Sequence, residues 1–276
     1  MLNVRENGVY IDATAGLGGH ATGILSMIGP AGKLVGIDRD EKALEHSREK
    51  LGNDRVHLMQ GSFSEMEDLL SRMNVQKADG VLFDLGVSML QLKDYRRGFS
   101  FLSEDKLDMR MDTSQDLTAW HVVNRYSEKE LERILREYGE ERFAKRIAKA
   151  VVSRRQKSSI NTGTDLAGLV EEVFGGRGRT HPATKTFQAL RIEVNKELDE
   201  LKKGLSAALN VLKAGGRMLV ISYHSLEDRI VKNFMRDHAR SGLVRLLTKK
   251  PLVPGMNEMR RNPSSRSAKL RGAEKI

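Results

Sequence analysis

The segment Asp12-Ala-Thr-Ala-Gly16-Leu-Gly18-Gly19-His20-Ala21 joins an acid to a glycine-rich stretch. Glycines there let the backbone approach a ligand closely, and Gly16, Gly18 and Ala21 satisfy the looser G-x-G-x-x-G/A spacing of dinucleotide sites. A single match of that kind also describes a tight strand-to-helix turn that binds nothing. Two further acids, Asp38 and Asp84, close short apolar runs as Asp12 does. A carboxylate beside a glycine loop repels a pyrophosphate, whereas it attracts a cation and accepts hydrogen bonds from a diol. Asp84-Leu-Gly-Val-Ser88 also suits acceptance of an N–H from an amine substrate, a step that needs no metal. With no cysteine in the chain, thiolate metal sites and cysteine nucleophiles are excluded, and none of the seven histidines falls in an H-E-x-x-H set.

The elements that must position these residues follow from the apolar runs. Gly8–Asp12, Lys33–Asp38, Val56–Met59 and Gly80–Asp84 are predicted strands, separated by segments of helical character at Asp40–Leu51 and Ser64–Met73. Strands alternating with helices predict a doubly wound α/β fold with a parallel sheet, in which Asp12, Asp38 and Asp84 all lie on the carboxyl edge. Any one such acid is also read as a helix cap; three on one edge favour a ligand. S-adenosylmethionine carries an ammonium, a sulfonium and a ribose diol, so Asp38 suits the ribose and Asp12 the amino-acid end. Asp84 suits either the target amine or the cofactor.

From Phe187 the positions Leu190, Val194, Leu198, Leu201, Leu205, Leu209 and Leu212 form one stripe, predicting a single long helix ended by Gly215-Gly216, with a fifth strand at Met218–Ser222. Between Glu104 and Thr180 only helix signals occur, among them Ser127 with Glu130 at capping-box spacing. The expected organisation is a doubly wound domain over 1–103 and 181–240, a helical insertion over 104–180, and a basic C-terminal tail over 241–276. Arg177-Gly178-Arg179, within Gly175–Thr180, is the predicted hinge.

The net charge is +10, and residues 240–276 alone carry ten basic groups against Glu258 and Glu274. That stretch either neutralises a polyanion such as nucleic acid or solubilises the chain end. No apolar run reaches the ~18 residues of a membrane span and no signal peptide opens the chain, so a cytoplasmic location is expected.

Longer motifs add a resemblance. Asp84-Leu-Gly-Val-Ser, Gln91-Leu92, Arg97-Gly-Phe-Ser-Phe101, Leu107-Asp-Met-Arg-Met-Asp112, Tyr138-Gly-Glu-Glu-Arg-Phe143, His181 to Ile192, His224 to Val231 and Arg266 to Arg271 resemble the ordered motif series of the RsmH (MraW) family, over essentially the whole chain. The resemblance implies a class I S-adenosylmethionine-dependent methyltransferase, Rossmann-like, with an inserted helical domain. It also implies action on the N4 of a decoding-centre cytidine in bacterial 16S rRNA of the small subunit; a DNA or other RNA amino-methyltransferase is the alternative on the same fold. It implies cofactor contacts at Gly18, Gly19, His20, Asp38, Phe63, Asp84 and Gln91, a catalytic role for Asp84, and no metal. Without it, Phe63 reads as core and Gln91 as surface. The chain departs from the family pattern in two places. Only seven residues precede Gly8 where a segment with a His-x-Pro-Val-like motif is usual, so the cover of the pocket is expected to be missing or differently supplied. Met89-Leu90 stand where Ser-Pro is common, an expected change in the loop that retains Gln91. His224, after the fifth strand, is open to a substrate role or to capping the next helix. Arg191, Glu193 and Asn195 read as site or solvent-exposed residues of the long helix. Trp120 and Met109-Arg110-Met111 are expected in the core or in domain contacts.

Overall fold

A computed structural model describes residues 1–52, 54–175 and 181–276. The predicted hinge at 176–180 lies outside the described residues; Gly175 itself caps a helix in the left-handed conformation, φ 74°. The chain runs β1 (Val9–Asp12), α1 (Gly19–Leu25), β2 (Lys33–Asp38), α2 (Glu41–Leu51), β3 (Val56–Gln60), α3 (Met66–Ser71) and β4 (Ala78–Asp84). Six helices follow: α4 (Met89–Lys93), α5 (Ala119–Arg125), α6 (Glu128–Glu137), α7 (Ala144–Arg155), α8 (Gly163–Phe174) and α9 (Thr184–Asn195). The last part is α10 (Glu197–Val211), β5 (Leu212–Ser222), α11 (Ser225–Arg240), β6 (Val244–Leu246), α12 (Met256–Arg261) and β7 (Lys269–Lys275).

Two compact units result, one of residues 1–86 and 198–276, the other of 87–197. The first holds a seven-stranded sheet in the order β3-β2-β1-β4-β5-β7-β6, parallel from β3 to β5, with β7 antiparallel to both β5 and β6. β1, β2 and β4 are buried nearly throughout, as parallel strands covered on both faces must be. Ile11, Val35, Ile37, Val81 and Phe83 share one core with Leu201, Leu205 and Ala208 of α10. The alternation of acid-terminated strands and helices therefore folds as the sequence predicts.

The second unit is helical, and it is larger than the predicted 104–180 insertion at both ends. Phe99 and Leu107 on one side and Phe187, Leu190 and Val194 of α9 on the other are buried in its core, so these segments belong to it. Ser127 caps α6 reciprocally with Glu130, the pair its spacing predicts.

Three further expectations are corrected. The predicted long helix is two helices, because Lys196 turns left-handed (φ 51°) between α9 and α10. Asn195 drives the break: its buried side-chain amide donates to the Met109 carbonyl at 2.8 Å and accepts from the Met111 N–H at 2.7 Å, while Arg191 bridges the break to Glu197 at 2.7 and 2.8 Å. These side chains hold a loop rather than facing solvent. Gly215-Gly216 do not end the helix; they lie inside β5, where Gly215 takes φ 74° and the pairing with β4 slips between Ala78 and Gly80.

Residues 241–276 are not an appended tail. β7 is an interior strand in which Gly272 and Ala273 are buried, and a Cβ at Gly272 would come 2.7 Å from Leu219. Four of the stretch's cations are spent on the fold. Arg271 (2.6 Å) and Lys269 (3.3 Å) pair with Asp228, Arg245 pairs with Glu274 at 2.6 Å, and Lys275 donates to the Leu209 and Leu212 carbonyls. Among the described residues, no helix is long and apolar enough to cross a membrane.

Ending the chain at Ala268 leaves the side of β5 that faces β7, and the whole of β6, unpaired. The expected outcome in a thermal melt followed by circular dichroism is a Tm lower by roughly 10 °C or more, or loss of the cooperative transition. An unchanged melt would make 269–276 a dispensable tail.

Candidate active site

Because β1 pairs in parallel with both β2 and β4, their final acids emerge at one edge of the sheet. Asp12 is fully buried. Its Oδ1 accepts from the Thr14 N–H at 3.2 Å, while Oδ2, also buried, accepts no hydrogen bond among the described residues. Loss of water pushes its pKa up to about 6, against the opposing pull of the His20 charge and the Thr14 N–H. Asp38 accepts from Gly16 N–H at 2.7 Å and from Asp40 N–H at 2.9 Å, tying the glycine loop to the start of α2; burial raises its pKa in spite of those bonds.

The glycine loop fits a close ligand. Gly18 is the N-cap of α1 with φ 72°, and a Cβ there would lie 2.9 Å from Leu51. At Gly19 a Cβ would meet no protein atom within 4 Å, so the turn presents open space on that side. His20 follows, with Nε2 3.2 Å from Asp84 Oδ2 and the ring about half exposed. That hydrogen bond is the main cause of a raised His20 pKa, which burial opposes.

Asp84 is thus held from several directions. Tyr223 Oη donates to its Oδ1 at 2.8 Å, His20 meets Oδ2, and its own N–H donates to Thr14 Oγ1 at 2.7 Å. The carboxylate keeps 30% of its side-chain surface exposed. Each oxygen retains a lone pair, so the group can accept a further N–H. Burial, and then the Asp84 charge, push the Tyr223 hydroxyl pKa far up, so it remains a donor across the physiological range.

Phe63 stands just after β3, part-buried, its ring edge-on to Phe83 at 5.5 Å. Hence Asp12, Gly18, Gly19, His20, Asp38, Phe63 and Asp84 share the carboxyl edge of the sheet unit. Gln91 belongs to the helical unit, where its amide closes a capping box with Ser88 at the start of α4. His224 caps α11 in the same manner with Glu227, which settles its open reading towards a cap. His181 stacks on Phe101 at 4.1 Å and pairs with Glu171 at 3.0 Å. Trp120 donates its indole N–H to Asn161 and packs against the helical core. Met109 is fully buried. Sequence reasoning passed over Tyr223, although it directly follows the predicted fifth strand and a parallel strand delivers its next residue to the same edge. It also passed over Thr14 and Glu200, which carry no local pattern.

A parallel sheet in the order 3-2-1-4-5-7-6, with its seventh strand reversed and acids at the ends of strands one, two and four, defines a class I methyltransferase fold. The chain belongs to the MraW methylase family, whose model matches residues 1–276. It is 52% identical over 271 residues to the ribosomal RNA small subunit methyltransferase H of Persephonella marina, covering 96% of this chain and 92% of that protein. With the protein of the same name from Caldicellulosiruptor saccharolyticus it shares 48% identity, covering 100% and 95%. The crystal structure of an rRNA methylase from Streptococcus thermophilus aligns over 99% of this chain and 89% of that one, with a TM-score of 0.46 and 10% identity.

A carboxyl whose pKa rises on folding binds its proton more tightly in the native state. Stability is therefore lost as pH rises from about 4 through about 6. Asp12→Asn, which keeps the acceptor to Thr14, is expected to stabilise the free protein at pH 8 by on the order of 3 kcal/mol and to leave it nearly unchanged at pH 4. Denaturant unfolding at the two pH values measures this, and equal effects at both would remove Asp12 as the titrating group.

Proposed function

We propose that this chain methylates the N4 of a decoding-centre cytidine in 16S rRNA of the small ribosomal subunit, with S-adenosylmethionine as methyl donor. The observation that carries the reading is Asp84, held by His20 and Tyr223 at the end of β4, beside an Asp12 whose buried Oδ2 has no partner among the described residues. The family match and relatives named as small subunit rRNA methyltransferases support the substrate class.

When bound, S-adenosylmethionine supplies an electrophilic methyl group on a sulfonium. Asp12 Oδ2 suits the cofactor's ammonium, directly or through water, which would discharge the cost of its burial. Asp38 offers its remaining lone pairs to the ribose hydroxyls. Phe63 would offer its ring to the adenine, Gly18 and Gly19 would let the main chain come close, and the family resemblance implies His20 and Gln91 as further contacts. The exocyclic amine of cytosine is a poor nucleophile because its lone pair is delocalised into the ring. Asp84, accepting one N–H, favours the pyramidal nitrogen that attacks and then takes the proton released. Tyr223 and His20 keep the carboxylate oriented for this.

The target base must leave its stack, at a cost of roughly a few kcal/mol that contacts to flanking phosphates offset. Lys249, Lys250, Arg260, Arg261 and Arg266 are exposed around α12, and Lys145 and Lys149 are exposed on α7. Arg142, just before that helix, and Arg146 on it flank the ring of its N-cap Phe143, at 4.6 and 5.0 Å. These groups suit an RNA backbone.

Methyl transfer from labelled S-adenosylmethionine to 30S subunits and to naked 16S rRNA of an unmethylated strain, followed by nucleoside mass spectrometry, tests the reading. N4-methylcytidine is expected; another methylated nucleoside, or transfer to DNA, would overturn it. Asp84→Ala is expected to slow transfer about 10²- to 10⁴-fold while S-adenosylhomocysteine affinity falls far less; the opposite split would make Asp84 a cofactor ligand. Reversing the charges of Lys249, Lys250, Arg260, Arg261 and Arg266 should weaken rRNA binding and flatten its salt dependence with cofactor affinity intact. Equal loss of both would make the segment structural.

A further inference from the structure

Helix α10 touches the loops that follow β2 and β3 through one carboxylate and one missing side chain. Glu200 Oε2 accepts from the Arg39 guanidinium, from Ser62 Oγ and from Ser64 Oγ at 2.5 Å. Arg39 follows Asp38 directly, and Ser62 and Ser64 flank Phe63. Arg39 also donates to Ser62 Oγ at 2.8 Å, and its guanidinium lies 5.9 Å from the centre of the Phe63 ring. The Glu200 and Arg39 side chains are only 14% and 18% exposed, a degree of burial uncommon for an ion pair that merely decorates a surface. Glu200 Oε2 is thus met by residues adjoining Asp38 and Phe63, while its Oε1 has Lys203 at 3.8 Å.

One turn further along the same face is Gly204, four residues from Glu200. Glycine is a poor residue for a helix interior, yet here the helix needs it. A Cβ at this position would come 2.4 Å from Phe63 Cδ2 and 3.0 Å from Cε2. The Cδ2–Cε2 edge of the ring therefore lies against the backbone of α10, and the ring also makes an edge contact with Phe83. Neither Glu200 nor Gly204 belongs to the residues assigned above to substrate or cofactor.

We propose that Glu200 and Gly204 are positioning residues that set the affinity for the adenosine end of the cofactor, Glu200 by clamping the loop of Phe63 to that of Asp38 and Gly204 by seating the Phe63 ring. The inference rests on the reading that Phe63 meets the adenine. It places the determinant of cofactor affinity on a helix that sequence patterns mark only as core, and it separates affinity from the methyl-transfer step, which Asp84 serves.

The test is S-adenosylhomocysteine binding by titration calorimetry, with KM for S-adenosylmethionine and kcat on 30S subunits, for Glu200→Gln, Gly204→Ala, Phe63→Leu and the double variant Gly204→Ala/Phe63→Leu. Glu200→Gln keeps the size of the side chain and removes the charge. Glu200→Gln and Gly204→Ala are each expected to weaken binding and raise KM by about tenfold or more, with kcat at saturation within about twofold. Phe63→Leu should weaken binding too. Because the smaller side chain relieves the clash, the double variant should bind no more weakly than Phe63→Leu alone. If Phe63→Leu weakens binding while Glu200→Gln and Gly204→Ala leave it unchanged, or lower only the Tm, the positioning role is overturned. If Phe63→Leu itself leaves binding unchanged, the adenine assignment beneath the proposal fails instead.

Discussion

A carboxylate buried without a full set of partners constrains this molecule more than any other group. Asp12 terminates the strand at the middle of the parallel run, so the sheet cannot form without drawing that acid out of water. Asp38 and Asp84, on the neighbouring strands, add repulsion. The fold answers each acid differently. Asp38 is satisfied by two backbone N–H groups, Asp84 by a phenol and an imidazole, and Asp12 by a single N–H, which leaves Oδ2 unmatched among the described residues. An unmatched buried acceptor is costly, and a cation bound there recovers that cost.

The rest of the sheet unit maintains this edge. Close packing requires glycine at Gly18, where the turn into α1 runs against Leu51. Small residues in β7 let a reversed strand slot between β5 and β6, and the Lys269 and Arg271 pairs with Asp228 anchor that strand to α11. α11 begins at the cap formed by His224 and Glu227, and Glu227 also accepts from the Tyr223 N–H at 2.9 Å. The orientation of Tyr223, and through it of Asp84, thus depends on the C-terminal strand that composition marked as a tail.

What the sequence disclosed and what it hid divide along physical lines. Short apolar runs ending in Asp12, Asp38 and Asp84 are local signals, and strands alternating with helices leave few topologies, so the parallel sheet and its acid edge were legible. Three features were not. A helix stripe continues smoothly from Leu190 to Leu212, but the break at Lys196 is imposed by Asn195 bonding to residues more than eighty positions away. The basic stretch after Arg240 has the charge of a disordered arm, and its strand shows only through the small Gly272-Ala273 and a pairing to β5 across more than forty residues. Tyr223 and Glu200 act through partners distant in sequence, and no spacing rule reaches them. Gln91 and His224 illustrate the converse, since each sits at a position where local chemistry makes a helix cap whatever else it does.

Charge is apportioned within the sheet unit in a way that bears on substrate choice. The carboxyl edge is acidic, with three carboxylates beside His20, whereas the exposed Lys249, Lys250, Arg260, Arg261 and Arg266 lie around α12. A polyanion as a whole is repelled by the first and attracted by the second. Only a part of nucleic acid without charge can enter the acidic edge, and an unstacked base is such a part. On the proposed function, the same carboxylates that favour a cationic cofactor would keep phosphate from the reacting centre, and an amine of that base is a group Asp84 can accept from. Selectivity for a base over its backbone thus follows from burying acids at the ends of the strands, before any contact with a particular nucleotide is considered.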